Sequence, residues 1–178
     1  MGFHHVALAT RDAAATHDFY TRVMGFRLAK VVTAASPGEQ GGWSKHFFYE
    51  TSDGAAGDHG MIAFWEIHDP AVGDDYDDNL NRAAGLPGWA NHIAFDAPSR
   101  EALDSHRERW QSCGYRVLEI DHDFCVSIYI TDPSGNMVEF SHTLREFSDD
   151  ERAHAVELLN DPNPPLDKRF RATMWEPA

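Results

Sequence analysis

The chain has 178 residues, with 29 Asp and Glu against 15 Lys and Arg and a formal net charge of −14. That length allows one ordinary domain or two small fused modules with a real core, and the absence of any basic run offers a phosphate backbone no counterion exchange, which excludes nucleic acid as an expected partner. No apolar run approaches the roughly 18 residues that span a bilayer, and the first residues lack the basic-then-apolar order of a signal segment; the expectation is a soluble, cytoplasmic protein with no membrane partner.

In chain order, "FHHVALAT" alternates as a strand does, and "RDAAATHDFYTRVMGF" then switches to helical spacing with Phe19, Val23 and Met24 on one side, Asp12 as cap and Gly25 as stop. "RLAKVVT" reads as a strand, "GEQGGW" as a turn-rich tip, and "KHFFYE" and "GMIAFWEI" as two further strands. The acidic stretch "DPAVGDDYDDNLNRAAGLPG" has Gly and Pro at both ends and reads as a linker; it lacks the glycine and terminal glutamate of a calcium loop at their places.

Beyond it come a strand in "ANHIAFDA", a helix in "SREALDSHRERWQSCGY" and three strands in "RVLEID", "VSIYITD" and "NMVEF". The order β-α-β-β-β therefore occurs twice. "HVAL" aligns with "HIAF" and "GFRL" with "GYRV", with twenty residues from His5 to Gly25 and twenty-two from His92 to Gly114. The expected fold class is α+β: paired β-α-β-β-β modules forming a curled mixed sheet around a metal cleft, followed by a C-terminal helix and arm. The expected boundaries are 1–70 for the first module, 71–88 for the linker, 89–143 for the second module and 144–178 for the helix and arm. Ser148 and Glu151 stand at capping-box spacing ahead of Val156, Leu158 and Leu159. The Pro-rich end, with Trp175, reads as an extended arm packed on the body or on a partner chain. Cys113 and Cys125 are too few and too irregular for a disulfide framework or a zinc knuckle.

The repeat singles out three residues. His5 opens the first strand of one module, His92 opens the first strand of the other, and Glu139 is the only charge in "NMVEF". If the modules curl together about a pseudo-twofold axis, their first and last strands meet at the cleft and these three side chains converge. Two imidazoles and a carboxylate make the facial set that leaves positions open on non-haem Fe(II). A lone histidine at a strand start is more often a hydrogen-bonded structural residue; equivalence across the repeat favours the metal reading.

"HHVALATRD…FYTRVMGF", "NHIAF" and above all "DPSGNMVEF" resemble the vicinal oxygen chelate superfamily, which includes glyoxalase I, extradiol ring-cleaving dioxygenases, fosfomycin-resistance proteins and bleomycin-binding proteins. The resemblance covers roughly residues 3 to 143. It implies that His5 is the ligand of the opening motif, with His4 on the opposite face of the strand as a structural neighbour. Glyoxalase-type members also take a carboxylate from the last strand of the first module; here Ala63 or Phe64 stands at that place, with Glu66 two or three residues late, so three protein ligands are expected. In the extradiol dioxygenases a tyrosine precedes the carboxylate ligand by ten residues, as Tyr129 precedes Glu139, and a second-sphere acid–base histidine comes before that tyrosine, where His122 stands at a shorter spacing.

The resemblance thus implies an oxidoreductase that cleaves a catechol-like aromatic with vicinal oxygens, using Fe(II) and O₂. Two other readings stay open: an isomerase, epimerase or lyase in which Mn(II), Ni(II) or Zn(II) stabilises an enediolate, and a non-enzymatic small-molecule binding protein. A homodimer is the expected assembly, through a sheet edge or through the tail. Phe47, Phe48, Tyr49, Phe64 and Trp65 are candidates for an apolar cleft wall.

Overall fold

The structure is a computed structural model that describes residues 3–36, 41–52, 60–166 and 170–178; part of the tip expected at 38–43 lies outside the described residues. The chain divides into two compact units, Met1–Ile93 with Thr131–Val138, and Ala94–Ile130 with Glu139–Ala178.

The first unit is built on four strands, β1 (His5–Ala9), β2 (Arg27–Ala35), β3 (Trp43–Glu50) and β4 (Met61–His68), in the order β1-β4-β3-β2. β1 runs parallel to β4, and the other neighbours are antiparallel. Period-two alternation sorts the aromatics. Phe47, Tyr49 and Phe64 turn to one face and are buried there. His46, Phe48 and Trp65 turn to the other, the face of His5.

The buried face is covered by α1 (Ala13–Asp18), whose first turn is capped where Asp12 Oδ1 accepts from the Ala15 amide at 2.9 Å. The sequence predicts an unbroken α-helix to Met24. Instead, Phe19–Val23 form a π-helical turn, closed by the Met24 amide donating to the Phe19 carbonyl at 2.9 Å. The wider turn lets the adjacent Phe19 and Tyr20 both face the core, and the Tyr20 ring lies 4.5 Å from that of Phe64. Burying rings of this size stabilises the unit by about 2–3 kcal/mol each.

The acidic segment also holds more than a connection. Residues Leu80–Ala84 form a short helix, α2, capped by Asn79, whose side chain accepts from the Asn81 and Arg82 amides. The turn of "DPSGN" completes it: Asn136 Oδ1 accepts from the Leu80 amide at 2.8 Å, and Ser134 donates to Asp78 at 2.7 Å. Asp132 accepts from the Asn136 amide and from the buried Tyr20 hydroxyl. Gly135, at φ 82, supplies the left-handed residue of that turn.

The second sheet has the order β5-β8-β7-β6-β9, from β5 (His92–Asp96), β6 (Val117–Asp121), β7 (Cys125–Thr131), β8 (Met137–Thr143) and β9 (Arg171–Trp175). Helix α3 (Arg100–Ser112), capped by Ser99, buries Leu103 and Trp110. His106 stacks on Phe140 of β8 with centroids 3.7 Å apart. The capping box expected at Ser148 and Glu151 is present and starts α4 (Asp149–Asn160). The arm folds onto the body as β9, an antiparallel edge strand on β6. Both cysteines are free. Among the described residues no helix is long and apolar enough to cross a membrane.

Candidate active site

His5 lies at the start of β1 opposite Met61, with its ring 5.4 Å from Phe48 and 5.9 Å from His46. The expectation that His4 points away from it is corrected. β1 begins at His5, so strand alternation does not govern His4, and the two Nδ1 atoms lie 2.8 Å apart. That pair needs one hydrogen. When His5 supplies it, the lone pair of His5 sits on Nε2 and His4 fixes the tautomer, as outer-sphere partners of ligating histidines do. His92 is more constrained: a carbonyl can only accept, so His92 Nδ1 donates to the Trp89 carbonyl at 3.1 Å and its lone pair is on Nε2.

Glu66 lies on the opposite face of β4 from Met61, held by Lys45 at 2.7 Å and His68 at 3.0 Å. Ala63 is buried on the His5 face and carries no donor. Sequence reasoning missed His46. Its ring stacks on Trp65 at 3.9 Å, and its buried Nε2 has no hydrogen-bond partner. Burial, with His5 nearby, holds the imidazole toward its neutral form. The signal was the alternation in "KHFFYE", which puts His46 on the face of Phe48.

In the second unit the structure joins three of the expected residues. Tyr129 on β7 donates its hydroxyl to Glu139 Oε1 on β8 at 3.2 Å, and the same hydroxyl lies 2.9 Å from His122 Nε2. Because the phenol has one hydrogen, His122 Nε2 is the donor in that second bond. His122 reaches the hydroxyl from the tight turn between β6 and β7, where its amide donates to the Cys125 carbonyl and Asp123 adopts φ 72. Glu139 is 6% exposed. Burial, with the Glu139 carboxylate adding to it, pushes the Tyr129 hydroxyl far above the usual range, so it stays protonated.

His5 and His92 belong to the first unit and Glu139 to the second. Among the described residues no group of three or more His, Cys, Asp or Glu gathers where it could hold a metal ion. Imidazole nitrogen and carboxylate oxygen, the donor types of His5, His92 and Glu139, are ones that a divalent metal accepts.

The sequence profile of the Glyoxalase/Bleomycin resistance protein/Dioxygenase superfamily matches residues 2–140, and the chain belongs to that family. Among solved structures, the fold is similar to the fosfomycin resistance protein FosX of Listeria monocytogenes, with TM-score 0.53 and 20% identity over 85% of this chain and 98% of that one. It is also similar to a glyoxylase/bleomycin resistance protein/dioxygenase domain from Frankia sp. EAN1pec, with TM-score 0.55 and 17% identity over 80% and 98%. A third is TnmS3, an antibiotic binding protein from a Streptomyces species, with TM-score 0.50 and 16% identity over 80% and 96%. At these identities the likeness establishes the α+β fold. No curated protein matches the sequence.

Proposed function

We propose that this protein is a metal-dependent vicinal oxygen chelate enzyme of the extradiol dioxygenase type, in which His5, His92 and Glu139 hold Fe(II) and Tyr129 with His122 manages the proton of a catechol-like substrate. When bound, the ferrous ion would supply electron transfer from the chelated substrate to O₂. His122 and Tyr129 would hold a proton at a fixed place: the imidazole Nε2 donates to the phenol oxygen, and the phenol donates toward Glu139. Once substrate is bound, the buried, protonated Tyr129 would redirect its one hydrogen from Glu139 to a substrate oxygen, while His122, bonded to the same hydroxyl, would relay the proton. Phe48 and Trp65, on the face of His5, would exclude water beside the ring of the substrate.

The observation that carries this reading is the hydrogen-bonded chain His122–Tyr129–Glu139, because it ties two acid–base groups to the proposed carboxylate ligand. The homodimer reading is supported by β2, an edge strand exposed along its length, with Leu28, Val31 and Val32 among its exposed residues. The test is elemental analysis of protein purified without oxygen, followed by oxygen-electrode assays of the Fe(II)-loaded protein over a catechol panel. Stoichiometric oxygen uptake with ring cleavage is the expected result. Metal-dependent conversion of a substrate with no oxygen uptake would replace it by the isomerase or lyase reading.

A further inference from the structure

We propose that the C-terminal strand is a wall of the site: Phe170 is a positioning residue for His122, and Phe170, Phe124 and Met174 form an apolar rim that selects substrates with an aromatic body. The inference rests on the proposed chelate chemistry and adds to it the part of the chain that reads the non-chelating half of the substrate.

Three observations converge. First, pairing register carries β9 onto the face of Tyr129: Leu118 stands opposite Tyr129 on one side and opposite Met174 on the other. Met174, Leu118 and Tyr129 therefore form one row across three strands, and Met174 is 49% exposed. Second, the residue before β9, Phe170, sets its ring 4.8 Å from that of His122 at 63°, an edge contact that leaves the side chain 51% exposed. An imidazole held at one nitrogen by Tyr129 can still turn about that bond; a second ring packed against it in a T-shaped contact fixes the plane. Third, Phe124, two residues after His122 and 38% exposed, sets its ring 6.4 Å from that of His122 and 5.1 Å from that of Phe147. Exposed rings beside a hydrogen-bonding pair suit a ligand with a flat apolar body and a polar end.

The wall is anchored from beyond. Trp175 donates through Nε1 to Glu119 at 3.1 Å beneath the Arg107 guanidinium, and Arg116 pairs with Glu176 at 2.8 Å. These bonds tie the strand to β6 and α3 on the C-terminal side of Phe170, so its ring is placed by the body.

The experiment uses the full chain loaded anaerobically with Fe(II) and two chelating probes, 4-nitrocatechol, which has a ring, and acetohydroxamic acid, which has none. Phe170→Ala should weaken 4-nitrocatechol roughly 5–20-fold, as loss of an aromatic contact predicts, and change acetohydroxamic acid less than about twofold. Phe170→Leu, which keeps apolar bulk, should fall between. In the metal-free protein, the His122 ring-proton resonances should move in Phe170→Ala and broaden as the ring is released. Equal weakening of both probes, or parent-like 4-nitrocatechol binding with unmoved His122 resonances, overturns the wall and leaves the chelate reading intact. Failure of the parent protein to bind either probe overturns the chelate reading itself, and this inference with it.

Discussion

Tyr129 stands between Glu139 and His122, donating to the first at 3.2 Å and lying 2.9 Å from the second. Tyr129→Phe removes that link while keeping the ring in place. If the hydroxyl serves the reaction, turnover falls by about 10²–10⁴ with iron content unchanged. A structural hydroxyl would instead cost about 1 kcal/mol of stability and leave turnover almost normal. Steady-state kinetics beside a urea melt separates the two.

Metal analysis tests the ligand set. His5→Ala, His92→Ala and Glu139→Ala should each lose bound iron, whereas Glu66→Ala, which removes the partner of Lys45 and His68 on the opposite face of β4, should keep it. His4→Ala should keep the stoichiometry with an affinity lower by about tenfold, because the hydrogen bond between His5 and His4 is lost. Full iron content in His92→Ala would discard the proposed set.

His106 predicts a pH dependence. Burial drives its pKa from the usual 6.5 to about 4, with Arg109 adding to the effect. Above about pH 6.5 the ring is neutral both folded and unfolded; as the pH falls toward 4 the unfolded chain takes up a proton that the folded one refuses. Stability contributed by the neutral ring is thus complete above the unfolded pKa and is lost as acid is added. Discounted for partial solvent exposure of the ring, the loss is about 1–2 kcal/mol. His106→Phe, which preserves stacking on Phe140, should remove that increment from the difference between urea melts at neutral and acid pH. An unchanged difference would discard the assignment.

Asn136 should matter more than its place in a turn suggests. Its side chain accepts from the Leu80 amide and donates to the Asp78 carbonyl at 3.2 Å, and the residue is buried. Asn136→Ala leaves the half-buried Leu80 amide unmet and should cost about 1–3 kcal/mol; Ser134→Ala, nearer the surface, should cost less than about 1 kcal/mol. Equal effects in thermal melts would show that the cap of α2 contributes little.

The repeat, the alternating strands and the capped helices were legible because each is written in local spacing. Tyr129 was singled out by a family resemblance that counts ten residues to Glu139, while the bond between the two is a finding of the structure. What escaped depends on partners distant in sequence. The π-helical turn exists because Tyr20 finds Phe64 and Asp132 inside. Helix α2 needs Asn136, and its five residues are too few to stand alone. His46 reads as an ordinary strand residue until Trp65 and His5 surround it, and the arm shows no register until Leu118 and Ile120 receive it.

The first unit is not continuous in the chain, since it includes Thr131–Val138. Tyr20 and Asp132, bonded in the finished protein, are 112 residues apart. At a synthesis rate of about 5–20 residues per second, the phenol leaves the ribosome on the order of ten seconds before its acceptor. During that interval the Leu80 amide also waits for Asn136. The nascent amino-terminal half must pass through a state in which water stands in for those acceptors, and a chain cut after the first ninety or so residues would stay there, exposed to proteases and to its own neighbours.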